Sequence, residues 1–324
     1  MQRKISWAQF VCAALVALAP IMPQAQAADR VIAGTLGGQA PLWPFYIALH
    51  KGFLAGEGID MELNFAPSGS GIVQQLTAGS LDVVVSVGMD DPMQAIDKGA
   101  KLAIIRIIGK FPPYALIAKA NIKTIADLRG KTISSGSPVD ITTVFLDRML
   151  AANGLRKGDY DLISAGVAAA RYAALQAGVA DAAMVLPPLN FHAEKAGFHT
   201  IGLPVDYVKD IPFTGMAVYR SWAEAHRDVA RRLIAAADKS IAWFDDDSHR
   251  AEAVALLVSV GKSSPEDAEA SYEFLRKIDF FERSAKVSRA RLQNLIDVES
   301  ARGLVDSKLT VDRLVLPGVT EMSD

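Results

Sequence analysis

Two stretches of the chain, 99 residues apart, carry the same punctuation: Leu76-Thr77-Ala78-Gly79-Ser80-Leu81-Asp82-Val83 and Leu175-Gln176-Ala177-Gly178-Val179-Ala180-Asp181-Ala182. Each reads as a helix end, a glycine stop, an aspartate and a short apolar run, 83–87 in the first copy and 182–186 in the second. Runs of that length suit strands buried on both faces. Each ends at a turn, residues 88–92 in one half and Pro187-Pro188 in the other, so in both a loop at the carboxyl end of a parallel strand feeds a new helix. In open α/β sheets that is where ligands bind. A chain with two such halves has two ligand-facing edges, and the economical arrangement sets them face to face across a cleft.

The amino-terminal residues and the composition narrow the class. Arg3 and Lys4 precede an apolar stretch over 10–21, followed by Pro23 and the small-residue triplet Ala25-Gln26-Ala27. This is the pattern of a cleavable export signal over 1–27, cut before Ala28. The stretch is short of the roughly 20 apolar residues a spanning helix needs, and no second long apolar segment follows. Cys12, the only cysteine, lies inside that signal. The exported chain is therefore expected to have no disulfide, thiolate metal site or cysteine nucleophile. Stability then rests on core burial, which the remaining 297 residues of a chain with 51% apolar composition can supply as two domains of ordinary size. The 34 basic and 36 acidic residues give a net charge of −2, or −4 without Arg3 and Lys4, which disfavours a nucleic-acid partner.

Strands are expected over 30–35, 60–65, 83–87 and 101–108, alternating with helices, which implies a parallel sheet. Ser68 is placed to cap the helix that ends at Gly79, and Asp90 or Asp91 to cap the next, with Pro92 at its first position. Residues 109–114 then look like a crossing, after which the pattern restarts. Thr124-x-x-Asp127 matches a capping box, and strands follow over 131–134, 160–164, 182–186 and 199–202, with Ser137 at a helix start. Residues 211–215 read as a return crossing and 216–219 as a strand. The rest is helical, with capping signals at Ser221, which opens a helix to about 244, and at Ser264. The domains are accordingly set at 28–110 (first part of lobe 1), 111–213 (lobe 2) and 214–324 (return strand and carboxyl-terminal helices of lobe 1). Two crossings make a hinge, which suits closure around a ligand.

The order of these features resembles the periplasmic solute-binding proteins of ABC importers, in the branch for sulfonates, taurine, nitrate and the pyrimidine precursor of thiamine. The residues that carry the resemblance are the loop 37–44 with Tyr46-Ile47-Ala48-Leu49-His50-Lys51-Gly52-Phe53-Leu54, then Glu57-Gly58-Ile59-Asp60-Met61-Glu62-Leu63, Pro67-Ser68-Gly69-Ser70 and the Leu-x-Ala-Gly-x-x-Asp repeat. The resemblance implies an α/β, two-lobe Venus-flytrap fold of the second type. It implies a periplasmic monomer that captures a small polar organic solute by lobe closure and hands it to a membrane permease, with no cofactor and no catalysis. Its family contacts fall on Gly38, Gln39 and Trp43 after the first strand, on Ser68 and Ser70, and on Met89 and Asp90 after the third strand. The second lobe adds Ser137 and the segment 187–191 with Pro187 and Phe191, and the crossings add Tyr114 and Thr214.

The chemistry of these positions restricts the ligand. Serines at helix starts favour an anionic or acceptor group, Trp43 can stack on a planar or apolar body, and an inward carboxylate at Asp90 repels a bare anion. No arginine sits on an expected ligand loop, and Lys110 at the crossing is the nearest basic candidate. A ligand with a donor end, an amino-sulfonate or an aminopyrimidine, is therefore expected, with Asp90→Ala or Trp43→Ala lowering affinity without unfolding. Catalytic signals fail: Gly69-Ser70-Gly71 lacks the third glycine of a dinucleotide loop, since Gln74 stands there. The five histidines show no metal spacing, and Asp245-Asp246-Asp247 lacks the glycine and distal glutamate of a calcium loop. The alternatives are an enzyme like the pyrimidine-precursor synthases, which rely on a cysteine-rich segment absent here, or a receptor that signals without transport.

Overall fold

The computed structural model describes residues 27–37 and 40–324. Residues 1–26, which hold Cys12 and nearly all of the expected export signal, and the ligand candidates Gly38 and Gln39 lie outside the described residues. Among the described residues no helix is long and apolar enough to cross a membrane.

Ten strands build two five-stranded sheets: β1 (Asp29–Thr35), β2 (Ile59–Phe65), β3 (Val83–Gly88), β4 (Leu102–Gly109), β5 (Ala115–Ala118), β6 (Thr132–Ser135), β7 (Asp161–Ser164), β8 (Ala182–Val185), β9 (His199–Gly202) and β10 (Thr214–Tyr219). The first sheet runs β2-β1-β3-β10-β4 and the second β7-β6-β8-β5-β9. In each, the strand in fourth place is antiparallel to its neighbours, β10 in the first sheet and β5 in the second. Both arrive from the other lobe without a crossover helix, so nothing forces them parallel. The sequence gives no signal for β5, four buried residues too short to show a period; the other pairings are parallel, as a mainly parallel sheet in each lobe requires.

The repeated punctuation has a shared physical cause. Gly79 and Gly178 both adopt φ of 75°, a left-handed conformation that glycine enters without a Cβ clash. Asp82 Oδ2 then accepts the Ile32 N–H of β1 at 2.8 Å, and Asp181 Oδ2 accepts the Thr132 N–H of β6 at 3.1 Å. The same carboxylate thus ties the same pair of strands in each lobe. The helices ahead of these glycines, Gly69–Thr77 and Ala168–Gln176, are also aligned at the repeat distance.

Beyond β10 the chain packs back on the first sheet. Two helices, Arg220–Ala225 and Arg227–Asp245, replace the single one expected, and Ser221 lies inside the first because β10 delivers the chain into it directly from Tyr219. Ser264 caps the Pro265–Lys277 helix by accepting from Asp267 N at 3.1 Å, as read from the sequence. The Thr124–Asp127 box is present but opens only the 3-10 turn Ile125–Leu128. The crossings between lobes are held together by Arg291, whose Nη2 donates to Lys110 O on one and to Ile211 O on the other. Lys110 itself pairs with Asp279.

Candidate ligand-binding site

A cavity of about 160 Å³ lies between the two sheets where helix amino termini from both lobes converge. This is smaller than the roughly 300–1,000 Å³ of drug-sized sites, and it suits a small solute. Lobe 1 contributes Ser68, Gly69 and Ser70 from the start of the Gly69–Thr77 helix, Asp90 and Asp91 from the start of the Asp90–Asp97 helix, and Thr214 at the head of β10. Lobe 2 contributes Tyr114, Ser137, Asp140, and Val167, Ala168 and Arg171 from the start of the Ala168–Gln176 helix.

β3 is bent to reach this place. Ser86 has φ of 54° within the strand, and the β3–β10 register slips at the same point, between Gly215 and Ala217. Such a bulge re-aims a strand end next to a site. Ser86 Oγ donates to Pro41 O at 2.9 Å and so holds the loop after β1 against the cavity.

The central polar groups are unusual for buried ones. Arg171 is 3% exposed, yet its Nε and Nη1 have no hydrogen-bond partner. Its Nη2 lies 3.6 Å from Asp140 Oδ2 and its guanidinium 5.8 Å from the centre of the Tyr114 ring. Opposite, Asp90 is 2% exposed; its Oδ2 accepts the Ile141 N–H of lobe 2 at 2.9 Å, whereas its Oδ1 is unpartnered. Gly88 makes room for that oxygen, since a Cβ there would sit 2.5 Å from Oδ1. Thr214 Oγ1 is buried without a partner too. Buried polar atoms are normally satisfied, because each orphan costs about 1–3 kcal/mol; four unpartnered atoms, on Asp90, Arg171 and Thr214, belong to residues lining this cavity.

The acids are held away from ionisation. Burial, then the neighbouring charges of Asp91, Asp140 and Glu299, push the Asp90 carboxyl well above the usual range, and the Ile141 N–H opposes this only in part. Burial and the charges of Asp140 and Glu299 push Asp91 up to about 7. Burial also raises the Tyr114 hydroxyl.

Of the sequence candidates, the structure gathers Ser68, Ser70, Asp90, Tyr114, Ser137 and Thr214 around the cavity. Four others lie elsewhere. Trp43 is wholly buried in the core, its Nε1 donating to Ala253 O at 2.9 Å and its ring edge-on to Phe244 at 5.1 Å. Met89 is fully buried beneath β10, so close that a Cβ at Gly215 would meet its Sδ at 2.8 Å. Pro187 presents only its carbonyl across the lobes, accepting from Ala40 N at 3.2 Å, and Phe191 packs on Phe274, ring centres 6.1 Å apart. Asp90 does not cap its helix, whose cap Met89 offers no side chain, because the carboxyl reaches across to Ile141 instead. Ser137 precedes rather than starts its helix, Ile141–Ala152, which Asp140 caps through Thr142 N at 2.8 Å.

The expectation of no arginine is overturned by Arg171. Two signals pointed to it: a cation in the first turn opposes the helix dipole, and within Ala168-Ala169-Ala170-Arg171-Tyr172-Ala173-Ala174-Leu175 no acid stands three or four residues away to pair with it. Helical side chains lean toward the amino terminus, which carries this guanidinium back to the cavity.

Comparisons with known proteins agree with this architecture. YtlA of Bacillus subtilis (strain 168), a provisionally assigned binding protein, is 20% identical over 284 residues, 86% of this chain and 85% of YtlA. The alkanesulfonate-binding protein SsuA from Xanthomonas axonopodis pv. citri, bound to MOPS, superposes with a TM-score of 0.74 at 19% identity, covering 90% of this chain and 99% of SsuA. A ligand-binding component of an ABC-type import system from Staphylococcus aureus, with zinc bound, superposes with a TM-score of 0.76 at 14% identity, covering 90% and 97%. These likenesses establish the fold as that of two-lobe binding proteins. A family model described as NMT1/THI5 like matches residues 39–251, and the chain belongs to that family.

Proposed function

We propose that the chain is the solute-capturing component of an ABC importer, exported with its signal removed before Ala28 and working in the periplasm. It closes its lobes on a small organic solute and delivers it to a membrane permease, without covalent chemistry. The observation that carries this reading is Arg171, a buried guanidinium with two unpartnered nitrogens facing an interlobe cavity. The solute's anionic end sits there, beside the amino terminus of the Ala168–Gln176 helix, which Val167 leaves without a side-chain cap. A donor at the other end meets Asp90 Oδ1. A taurine-like amino-sulfonate satisfies both ends, and the sulfonate partner of the SsuA relative supports the anionic half. An aminopyrimidine satisfies only the acid wall. The absence of any cysteine beyond Cys12 argues against the synthase-like alternative.

The test is a thermal-shift and calorimetric panel of taurine, alkanesulfonates, nitrate, aminopyrimidines and aromatic acids against the mature protein. Ligand that binds the folded state raises the melting temperature. A shift with taurine or alkanesulfonates, absent in Arg171→Ala, is the expected result. A response to aminopyrimidines alone, unchanged in Arg171→Ala, would refute the anionic-end assignment.

A further inference from the structure

The lobes meet a second time away from the cavity, where the Leu189–Lys195 helix of lobe 2 faces the Pro265–Lys277 helix of lobe 1. Asp267 lies in the first turn of the lobe 1 helix and is 3% exposed. Its neighbours come from the other lobe: the ammonium of Lys195 has Nζ 2.9 Å from Oδ1, and the His192 ring has Nδ1 3.7 Å from Oδ2. Glu266 beside it lies 3.8 Å from the same Lys195. Phe191, one position ahead of His192, sets its ring edge-on to Phe274 of the lobe 1 helix. Lys195 ends its helix while Asp267 begins its own, so each of these two charges also complements the dipole of the helix that bears it.

We propose that Asp267, Lys195 and Phe191 form a latch that holds the lobes shut. A carboxylate this buried is costly to leave without a partner, and hinge opening would carry Lys195 and His192 away with lobe 2. Opening breaks the Asp267–Lys195 ion pair and takes the rings of Phe191 and Phe274 out of contact. The open form is thereby penalised at a place remote from the solute, so the latch sets how long the closed form lasts whatever the solute is. It also gives Phe191 a role that its sequence position in a ligand loop did not suggest.

The latch can be tested without knowing the ligand. Spin labels placed at Ser80→Cys in lobe 1 and Val179→Cys in lobe 2 of the chain from Ala28 onward, which holds no other cysteine, report the interlobe distance by pulsed electron resonance. Val179 is 62% exposed, so labelling leaves the core intact. The native chain is expected to show a short-distance, closed component. Lys195→Glu should reduce that component about tenfold, and Lys195→Arg should retain it. Lys195 is half exposed, so both variants should melt with the native chain, and Asp267→Asn serves as a second break if it folds. Identical distance distributions in the native and Lys195→Glu proteins would overturn the latch.

Discussion

The two lobes share one plan, yet they present opposite chemistry to the cavity. At the repeat distance of 99 residues, Arg171 occupies the position that Ile72 holds in lobe 1. Ile72 is fully buried and packs over Gly34 of β1, where a Cβ would meet it at 2.7 Å. In lobe 2 the strand position matching Gly34 is Ser134, opposite Ala183 as Gly34 is opposite Val84. Ser134 Oγ is unpartnered, like the Arg171 nitrogens. An isoleucine and a glycine in lobe 1 thus correspond to an arginine and a serine in lobe 2, while lobe 1 carries the acids Asp90 and Asp91. Core packing alone is served by the isoleucine version, so the arginine version, with its orphan donors, is the one that calls for a ligand.

The sharpest way to break this comparison is to convert lobe 2 to the lobe 1 chemistry. Arg171→Met is expected to abolish binding of an anionic solute, a loss of about 3–5 kcal/mol or at least a hundredfold in calorimetric Kd. The ligand-free melting temperature should hold or rise, since replacing a strained buried charge by an apolar side chain is often neutral or stabilising. A fall in both would make Arg171 a structural residue.

The acid wall makes its own demand on pH. An unfolded aspartate titrates near ~4, whereas Asp91 in the folded chain does so at about 7, through burial and the charges of Asp140 and Glu299. Between those values the folded protein keeps a proton that the unfolded chain has released. The contribution of this group to ligand-free stability should therefore be full below about pH 4 and decline as pH rises toward 7, by up to about 1.4 kcal/mol per unit, seen as the difference between the native chain and Asp91→Asn. Asp90 shifts in the same direction. Urea titrations across this range should show the decline, flattened in Asp91→Asn.

Asp90→Asn separates ligand classes with a smaller effect. An amino-sulfonate should lose about 1.5–3 kcal/mol of affinity, the size of a hydrogen bond to a charged group, while a simple alkanesulfonate should bind as well or better. Competition calorimetry with the two ligands reads the difference. Smallest of all is the expected effect of Trp43→Phe on binding, which is none. That variant loses the bond to Ala253 O and should cost about 1–2 kcal/mol of stability in denaturant titrations. The sequence-based expectation that Trp43 grips the ligand fails because the side chain faces the core formed with Phe244 and Tyr272.

What could be read from the sequence follows from range. The glycine stops, the Asp82 and Asp181 ties and the long apolar strands are set by neighbours in the chain and by simple periods, so nine of the ten strands were legible. β5 was not, because four residues inserted between distant strands carry no period of their own. The candidate site was legible where loops follow strands, at Ser68, Ser70 and Asp90, and at the two crossings, at Tyr114 and Thr214. It was obscured where direction decides: Trp43, Met89 and Phe191 sit in the right segments but point into the core or across to another helix. Arg171 was overlooked because it stands inside a helix rather than on a loop, set apart by its place in the first turn and its lack of an acid three or four residues away.

The central claim is that Arg171 holds the anionic end of a solute shut between the lobes. Native mass spectrometry of the protein purified from the cells that make it, beside Arg171→Met prepared identically, tests it most directly. The account predicts a retained small molecule bearing an acidic group on the native protein and a bare mass for the variant. The same molecule retained equally by both would contradict it.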